Sequence, residues 1–314
     1  MSEYFEVIIV GGGPAGLSTA LIMGRSKRKV LVLDANDARN RVTHASHGYL
    51  SRDGVKPEEF KAVGLSEITA YPTVSYMETK VTSLHKEGSR FHVQTETGDS
   101  FVSGRVVVAA GMKEELPEIK GLQDVYGSSV FPCPYCDGWE WRDEPLAIFG
   151  SEPWLIQYVK LIYNWSRDLI VFTNGAVDLP AADRTDLREH GVAVVEEPIA
   201  ELISEGGQLQ QVVTHSGAAY NRSGGFIMDT GESQAFPLPE DFKIPYTTMG
   251  GVETKEGGET SVKGLYVIGD AKNAFSGLLK AASEGYELAA VMNHEMALED
   301  WQLTNHITKP GGQG

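Results

Sequence analysis

The chain of 314 residues is poor in cysteine, in basic residues and in long apolar runs, and each shortage excludes a class of protein. Its net charge of −16 argues against nucleic-acid and anionic-membrane partners. Without a long apolar run or an apolar leader, the sequence predicts no membrane span and a cytoplasmic location. In that compartment cysteines are more often catalytic than joined in a structural disulfide.

The two cysteines of the chain, Cys133 and Cys136, are separated by Pro134-Tyr135 and followed by Asp137-Gly138. This spacing suits either half of a zinc site or a dithiol that opens and closes during turnover. Structural zinc usually takes four N or S ligands, and the chain has neither a second cysteine pair nor a His-x-x-x-His run. The redox interpretation is therefore favoured, and it requires a source of electrons.

The amino terminus has the pattern of a dinucleotide site. An apolar run leads into Gly11-x-Gly13-x-x-Gly16, and after an amphipathic stretch a second apolar run ends in Asp34. Gly11 permits the tight turn, Gly13 lets the backbone approach a pyrophosphate, and Gly16 lets the helix pack closely on the strand. The helix start then faces phosphate charge, and Asp34 can bind a ribose hydroxyl.

Two further apolar strands end in small or acidic residues, at Ala110-Gly111 and at Gly269-Asp270. Together with the Cys-Pro-Tyr-Cys-Asp-Gly segment, these motifs resemble the low-molecular-mass thioredoxin reductases. The run Gly138-Trp139-Glu140 narrows the resemblance to a subgroup that includes dithiol oxidases acting on small natural products. It also includes relatives that lack nicotinamide motifs.

The resemblance implies an α/β fold of two Rossmann-like, FAD/NAD(P)-binding domains of the three-layer ββα type, the second inserted in the first. Residues 1–115 and 243–314 would form the FAD domain, residues 116–242 the inserted domain with the cysteine pair, and two chains a homodimer. The residues that the resemblance places against FAD are Gly11, Gly13, Pro14, Ala15, Gly16, Asp34, Asn40, Ala110, Gly111, Gly269 and Asp270.

The resemblance also assigns roles at the redox pair. Cys136 would face the flavin, Cys133 would exchange with the partner, and Asp137 would be the general acid–base. A carboxyl that merely begins a helix is the alternative for Asp137, because acids are common at helix starts. His44 and His47 lie in a segment that would approach the flavin; a proton role and an ordinary surface position are both open.

The second glycine fingerprint departs from the family pattern. Its positions are occupied by Gly150, Ser151, Glu152, Pro153, Trp154 and Leu155. Glu152 stands where a pyrophosphate should approach, and Leu155 stands where a small residue normally lets helix and strand pack closely. A helix is still predicted from Leu155 to Tyr163, with Ser151 as its N-cap. NADPH is therefore doubtful as a cofactor.

Three functions remain open for this sequence. The first is an FAD-dependent reductase of a thioredoxin-like protein or a small-molecule disulfide, supplied with electrons by weakly bound NADPH, by ferredoxin or by a second flavin. The second is a dithiol oxidase that uses FAD and oxygen. The third is a non-enzymatic redox sensor, which Asp137 argues against because a sensor does not need an adjacent acid.

Overall fold

The computed structural model describes residues 3–175 and 179–307. The glycine-rich sequence of residues 308–314, which is typical of a disordered tail, lies outside the described residues. Two compact units are present. The described part of the first comprises residues 3–39, 58–113 and 233–307, and that of the second comprises residues 40–57, 114–175 and 179–232. The chain leaves and re-enters the first unit near residues 113 and 233, and the segment 40–57, predicted in the FAD domain, belongs to the second unit.

The elements of the amino-terminal half follow the chain without long gaps. They are β1 (Glu3–Val10), α1 (Pro14–Arg25), β2 (Val30–Asp34), α2 (Pro57–Thr69), β3 (Val74–Glu78), β4 (Val81–Glu87), β5 (Arg90–Thr95), β6 (Ser100–Val108), β7 (Met112–Glu115), α3 (Leu122–Val125), β8 (Val130–Phe131), α4 (Pro134–Asp137) and β9 (Leu146–Phe149).

The remaining elements complete both units. They are α5 (Leu155–Ile162), β10 (Leu169–Phe172), α6 (Ala181–Glu189), β11 (Ala193–Val195), β12 (Ile199–Glu205), β13 (Gln208–Thr214), β14 (Ala219–Asn221), β15 (Gly224–Ile227), β16 (Gly231–Gln234), β17 (Leu265–Val267), α7 (Asp270–Asn273) and α8 (Leu278–Ile307). Short 3₁₀ turns occupy Arg39–Val42, Glu240–Phe242 and Glu256–Gly258.

The first unit is built on a seven-stranded sheet in the order β3-β2-β1-β6-β5-β4, with β17 paired to β6. Strand β1 is parallel to both of its neighbours. Its side chains alternate between two apolar clusters: Ile8 and Val10 belong to one, and Val7 and Ile9 to the other. Since both faces are covered, the strand has the continuous apolar run typical of a central parallel strand.

Helices α1 and α8 pack closely within this unit. A Cβ on Gly285 would collide with the carbonyl oxygen of Ala15, so only glycine permits this approach. The two apolar strands predicted before Ala110-Gly111 and Gly269-Asp270 are confirmed as β6 and β17. Within residues 3–175 and 179–307, no helix combines the length and apolarity needed to cross a bilayer.

The second unit contains a parallel five-stranded sheet in the order β11-β10-β9-β15-β8 and a separate antiparallel sheet, β12-β13-β14. The predicted helix after β9 is confirmed as α5, and its residues Leu155, Val159 and Ile162 are buried against Leu146 and Ile148. The α/β fold class is therefore confirmed, and this parallel sheet places the cysteine segment directly after strand β8.

Candidate functional site

The predicted FAD residues of the first unit meet where β1, β6 and β17 end. Gly11 has a φ of +110°, and a Cβ there would collide with the carbonyl oxygen of Ala109. Gly16 cannot carry a Cβ either, because the carbonyl oxygen of Gly11 occupies that place. Gly13, by contrast, has no atom within 4 Å of the position of an added Cβ. Open space thus lies beside the start of α1, where backbone N–H groups favour a phosphate.

Asp34 ends β2 beside this loop and is buried. Its Oδ2 accepts a hydrogen bond from the hydroxyl of Tyr76 at 3.0 Å and lies 2.5 Å from Lys61 Nζ. Burial alone would raise the pKa of Asp34, but Lys61, the backbone N–H of Gly12 and Tyr76 outweigh it, and the pKa lies below its usual value. Asp34 is therefore an ionised acceptor suited to a ribose hydroxyl.

Asp270 begins α7 on the same side of the sheet. Its Oδ1 accepts hydrogen bonds from the backbone N–H of Ser276 at 3.0 Å and from the Ser276 hydroxyl at 2.7 Å, and its Oδ2 lies 3.3 Å from Arg39 Nη1. Burial raises the pKa of Asp270, although Ser276 and Arg39 oppose the rise. A Cβ on Gly111 would lie 4.0 Å from the Cβ of Asp270, so the two predicted strand ends are neighbours.

The cysteine pair lies in the second unit at the start of α4. Cys133 is the N-cap residue, with the extended backbone angles φ −126° and ψ 107°, and Pro134 is the first helical residue. The N–H groups of Cys136 and Asp137 donate to the Cys133 carbonyl at 3.1 and 3.2 Å. Both cysteines are present as thiols; Cys133 is buried and Cys136 is partly buried.

Two aromatic residues support this turn. A Cβ on Gly138 would lie 2.9 Å from the Trp165 indole, so glycine is required where the turn meets that ring. The buried Tyr158 of α5 donates its hydroxyl to the carbonyl of Pro132 at 2.9 Å, immediately before Cys133. The charges of Cys133, Cys136 and Asp137 add to the effect of burial and raise the pKa of Tyr158, so its hydroxyl stays protonated.

Asp137 combines burial with nearby negative charge. Burial, the Cys133 thiolate and Glu140 together raise the pKa of Asp137 to about 7. A carboxyl with this pKa holds and releases a proton near neutral pH, as a general acid–base must. Asp137 thus combines a raised pKa with a position next to two thiols.

The loop that follows β9 in the second unit is bound by the chain itself. The Ser151 N–H donates to Asp229 Oδ1 at 2.8 Å, and the Ser151 hydroxyl donates to Asp229 Oδ2 at 2.8 Å. A carboxylate thus binds the donors that a fingerprint loop would offer to a phosphate. Ser151 was predicted to be the N-cap of α5, which is wrong: Trp154 is the N-cap and Ser151 binds Asp229 instead.

The comparisons with known proteins agree with this arrangement. Residues 5–153 match the family model of the pyridine nucleotide-disulphide oxidoreductases. A protein of Arthroderma benhamiae named as a probable thioredoxin reductase is 30% identical over 86% of this chain and 74% of that protein. The chain belongs to the thioredoxin reductase-like pyridine nucleotide-disulphide oxidoreductases.

Solved structures of other family members have the same architecture. TrxB of Bacillus anthracis is 38% identical, with a TM-score of 0.90 over 95% of this chain and 100% of that chain. HlmI is 28% identical, with a TM-score of 0.89 over 98% of each chain. The predicted resemblance and the architecture of two Rossmann-like domains are thereby confirmed, the protein is of an enzyme family, and membership of this thioredoxin reductase-like family implies FAD binding.

Most of the predicted FAD residues lie in the first unit, and one lies in the second. Gly11, Gly13, Pro14, Ala15, Gly16, Asp34, Ala110, Gly111, Gly269 and Asp270 all lie in the first unit. Asn40 belongs to the second unit, where its side chain donates to the Ser46 hydroxyl at 3.2 Å. His44 is exposed, whereas His47 lies near Glu140 of the cysteine segment. Across residues 3–175 and 179–307, no three His, Cys, Asp or Glu side chains are grouped as metal ligands would be.

Sequence reasoning missed several residues that the geometry brings to these sites. Lys61 and Tyr76 reach Asp34 from later positions in the chain, and no local pattern marks them. Tyr158 falls on the predicted buried face of α5, but nothing in that pattern distinguishes a supporting hydroxyl from a core ring. Asp229 had a usable signal, since it follows directly after the apolar run of β15 at the edge where parallel strands bind ligands.

Proposed function

We propose that the protein is an FAD-dependent dithiol/disulfide oxidoreductase in which Cys133 and Cys136 are the redox pair and Asp137 is the general acid–base. The observation that carries this proposal is the pairing of two thiols at the start of a helix with a carboxyl whose pKa is about 7. Near neutral pH such a carboxyl can take a proton from one thiol and return it to a leaving thiolate.

We infer that FAD is held by the first unit. The space beside Gly13 fits a pyrophosphate and Asp34 fits a ribose, while the loops at Ala110-Gly111 and Gly269-Asp270 border the same sheet edge. When bound, FAD supplies the two-electron redox chemistry that the side chains lack. The chain's own contribution is to position the cofactor and to manage thiols and protons.

The exchange with the partner uses the residues of the second unit. Asp137 removes the proton of Cys133, and the resulting thiolate attacks one sulfur of the partner disulfide. The disulfide breaks, and Asp137 protonates the departing thiolate. The Cys136 thiolate, its own proton having gone to solvent, then attacks Cys133, which releases the second partner thiolate to take a proton. One dithiol is oxidised to a disulfide and one disulfide is reduced to two thiols, and the reverse sequence oxidises a dithiol.

The proposed partner is a thioredoxin-like protein or a small-molecule disulfide or dithiol. Two observations favour a donor other than NADPH. The Asp229 carboxylate binds the Ser151 donors, and Glu152 and Leu155 stand at the positions where the fingerprint has small residues. Ferredoxin and a second flavin therefore remain candidate electron donors. The oxidase direction, in which a dithiol gives its electrons through FAD to oxygen, is also a candidate.

The test is an anaerobic titration of the purified holoenzyme, followed by flavin absorbance. NADPH, NADH, reduced ferredoxin and a dithiol are added in separate experiments. We expect a dithiol to reduce the flavin in the wild type and not in Cys136→Ser, and we expect NADPH to have little effect. Rapid reduction by stoichiometric NADPH would overturn the proposal of a donor other than NADPH, and failure of dithiols and every donor to reduce the flavin would overturn the proposed function.

We also propose that the protein is a homodimer in a reducing compartment, as for a cytoplasmic enzyme. Helix α8 carries the exposed residues Leu279, Tyr286 and Trp301, which are 50%, 58% and 70% exposed. They are separated by seven and fifteen residues, close to whole numbers of helical turns, and so share one face. An apolar face of this kind on an acidic protein suits a second copy of the same chain.

A further inference from the structure

The parallel sheet of the second unit places Ser151 and Asp229 side by side. Each is the second residue after its strand, β9 or β15, and the two strands are paired in parallel with Ile227 opposite Phe149. The Met228 N–H continues this pairing with a hydrogen bond of 3.0 Å to the Phe149 carbonyl. Ser151 and Asp229 therefore lie at the carboxyl edge of the sheet, where doubly wound α/β proteins bind their ligands.

Asp229 binds Ser151 through both of its carboxylate oxygens. Oδ1 accepts from the Ser151 N–H at 2.8 Å, and Oδ2 accepts from the Ser151 hydroxyl at 2.8 Å. An ionised carboxylate has acceptors only, so it suits these two donors as the oxygens of a phosphate would. Both residues are partly exposed, so a dissolved anion can reach the place that the carboxylate occupies.

A second carboxylate has the same kind of contact at this edge. Glu196 follows β11, and its Oε2 lies 2.5 Å from Nη1 of Arg184 on α6. An arginine near the end of the second strand of such a sheet can bind the phosphate of a nucleotide, but this guanidinium is paired with an acid of the chain. The loop donors and the guanidinium are two kinds of group that bind phosphate, and each is bonded to a carboxylate of the chain itself.

We propose that Asp229 determines the donor specificity of the second unit: its carboxylate occupies the Ser151 donors as an internal anion and repels a phosphate that approaches them. Occupied donors and like-charge repulsion together discriminate against phosphate-bearing ligands. This role rests on the proposed preference for an electron donor other than NADPH. It does not depend on the roles of Cys133, Cys136 or Asp137.

Removing the carboxylate should open the loop to phosphate. In Asp229→Ala the Ser151 N–H and hydroxyl lose their internal acceptor, so we expect the affinity for inorganic pyrophosphate to rise by more than about tenfold over the wild type. Asp229→Asn keeps the size of the side chain but removes its charge, and we expect a smaller gain. When Ser151→Ala is combined with Asp229→Ala, one donor is lost and the affinity should fall again by about tenfold.

The experiment is isothermal titration calorimetry of the purified holoenzyme with sodium pyrophosphate, at an ionic strength held constant with sodium chloride. Bound FAD occupies the pyrophosphate site proposed in the first unit, so the titration reports on the second unit. Glu197→Ala is the matched control, because Glu197 also accepts hydrogen bonds from the N–H and the hydroxyl of one serine, Ser216, but in a loop outside the fingerprint. It should bind pyrophosphate as weakly as the wild type.

Flavin content and circular dichroism check that each variant is folded, and Asp229→Asn carries the test if Asp229→Ala is not. Tight binding to Asp229→Ala that is weakened by Ser151→Ala would support the role of Asp229. Equal affinities of the wild type and Asp229→Ala would overturn it. A gain that Ser151→Ala leaves intact would overturn it as well, because the anion would then bind elsewhere.

Titration of the wild type with NADPH separates the role of Asp229 from the choice of electron donor. Rapid reduction of the wild-type flavin by NADPH would overturn the proposed donor preference and the role of Asp229 together. If NADPH leaves the wild-type flavin oxidised and Asp229→Ala still gains no affinity for pyrophosphate, only the role of Asp229 is wrong.

Discussion

At the residue scale, the partly buried Asp137 makes stability depend on pH in a defined direction. Its pKa is about 7 in the folded protein against an ordinary value of 3.8, so its stabilising protonated form is lost as pH rises through 7. Asp137→Asn does not titrate, and its advantage in free energy of unfolding over the wild type should be about 2 to 3 kcal/mol larger at pH 8 than at pH 5. Thermal melts at the two pH values measure this difference.

The control for that measurement is Asp143→Asn, which removes an exposed carboxyl six residues away. It should melt in parallel with the wild type at both pH values. An equal gain for Asp143→Asn and Asp137→Asn would show that overall charge, and not the partly buried carboxyl, causes the effect.

The division of labour between the two thiols is a second residue-scale prediction. If Cys133 attacks the partner, Cys136→Ser leaves a mixed disulfide that no neighbouring thiol resolves. Mass spectrometry should then detect a covalent adduct of Cys136→Ser with an aromatic disulfide probe, and none with Cys133→Ser. An adduct with Cys133→Ser and none with Cys136→Ser would exchange the assigned roles. Cys133 is the more buried of the two, so the measurement tests this assignment directly.

At the element scale, two glycines at the start of α1 should differ in whether they are needed for folding or only for FAD binding. Gly13→Ala places a methyl group in open space, so the apoprotein should fold with a loss of about 1 kcal/mol at most, yet bind FAD weakly because that space is needed for phosphate. Gly16→Ala collides with the Gly11 carbonyl and should lose both stability and FAD. Flavin absorbance and apoprotein melting give the two measurements.

Gly104→Ala serves as the control for these two variants, since a Cβ in that strand would lie 3.4 Å from the Tyr4 hydroxyl, an ordinary contact. It should retain full flavin and stability. Normal FAD content in Gly13→Ala would contradict the position assigned to the pyrophosphate.

At the scale of the whole molecule, the exposed face of α8 predicts a dimer that one charge can dissociate. Trp301→Glu should sediment as a monomer at concentrations where the wild type is a dimer, because burying an unpaired carboxylate opposes association. Leu303→Glu adds the same charge at a position that is 63% exposed on another side of the helix, and should remain dimeric. A monomeric wild type would overturn the proposal.

The fold could largely be predicted because its signals are local. The apolar run before Gly11 and the acidic residue Asp34 predict a strand, a turn and a second strand within the first 34 residues. The loss of the second glycine fingerprint at Glu152 and Leu155 could also be predicted, because the fingerprint requires small residues at fixed positions in the sequence. The Ser151–Asp229 hydrogen bonds found at this loop could not be predicted. They join residues 78 positions apart, which only the parallel pairing of β9 and β15 brings together.

The candidate site divides in the same way. Cys133, Cys136 and Asp137 are adjacent in sequence, so their chemistry could be inferred from spacing. The assignment of residues 40–57 to the second unit could not be predicted from sequence. It depends on contacts such as those of Gly127 with Val42 and of His47 with Glu140. Long-range packing decides those contacts, and no periodic pattern encodes them.

Trp165 has a consequence for how the redox pair can be observed. The indole contacts Gly138, and the Tyr135 ring stands edge-on to it with centroids 5.6 Å apart. Pro132 is bound on the other side by Tyr158, so the cysteine pair lies between two supported ends. Because Trp165 contacts the turn that carries Cys136, we expect the fluorescence of Trp165, one of five tryptophans in the chain, to report whether the pair is oxidised.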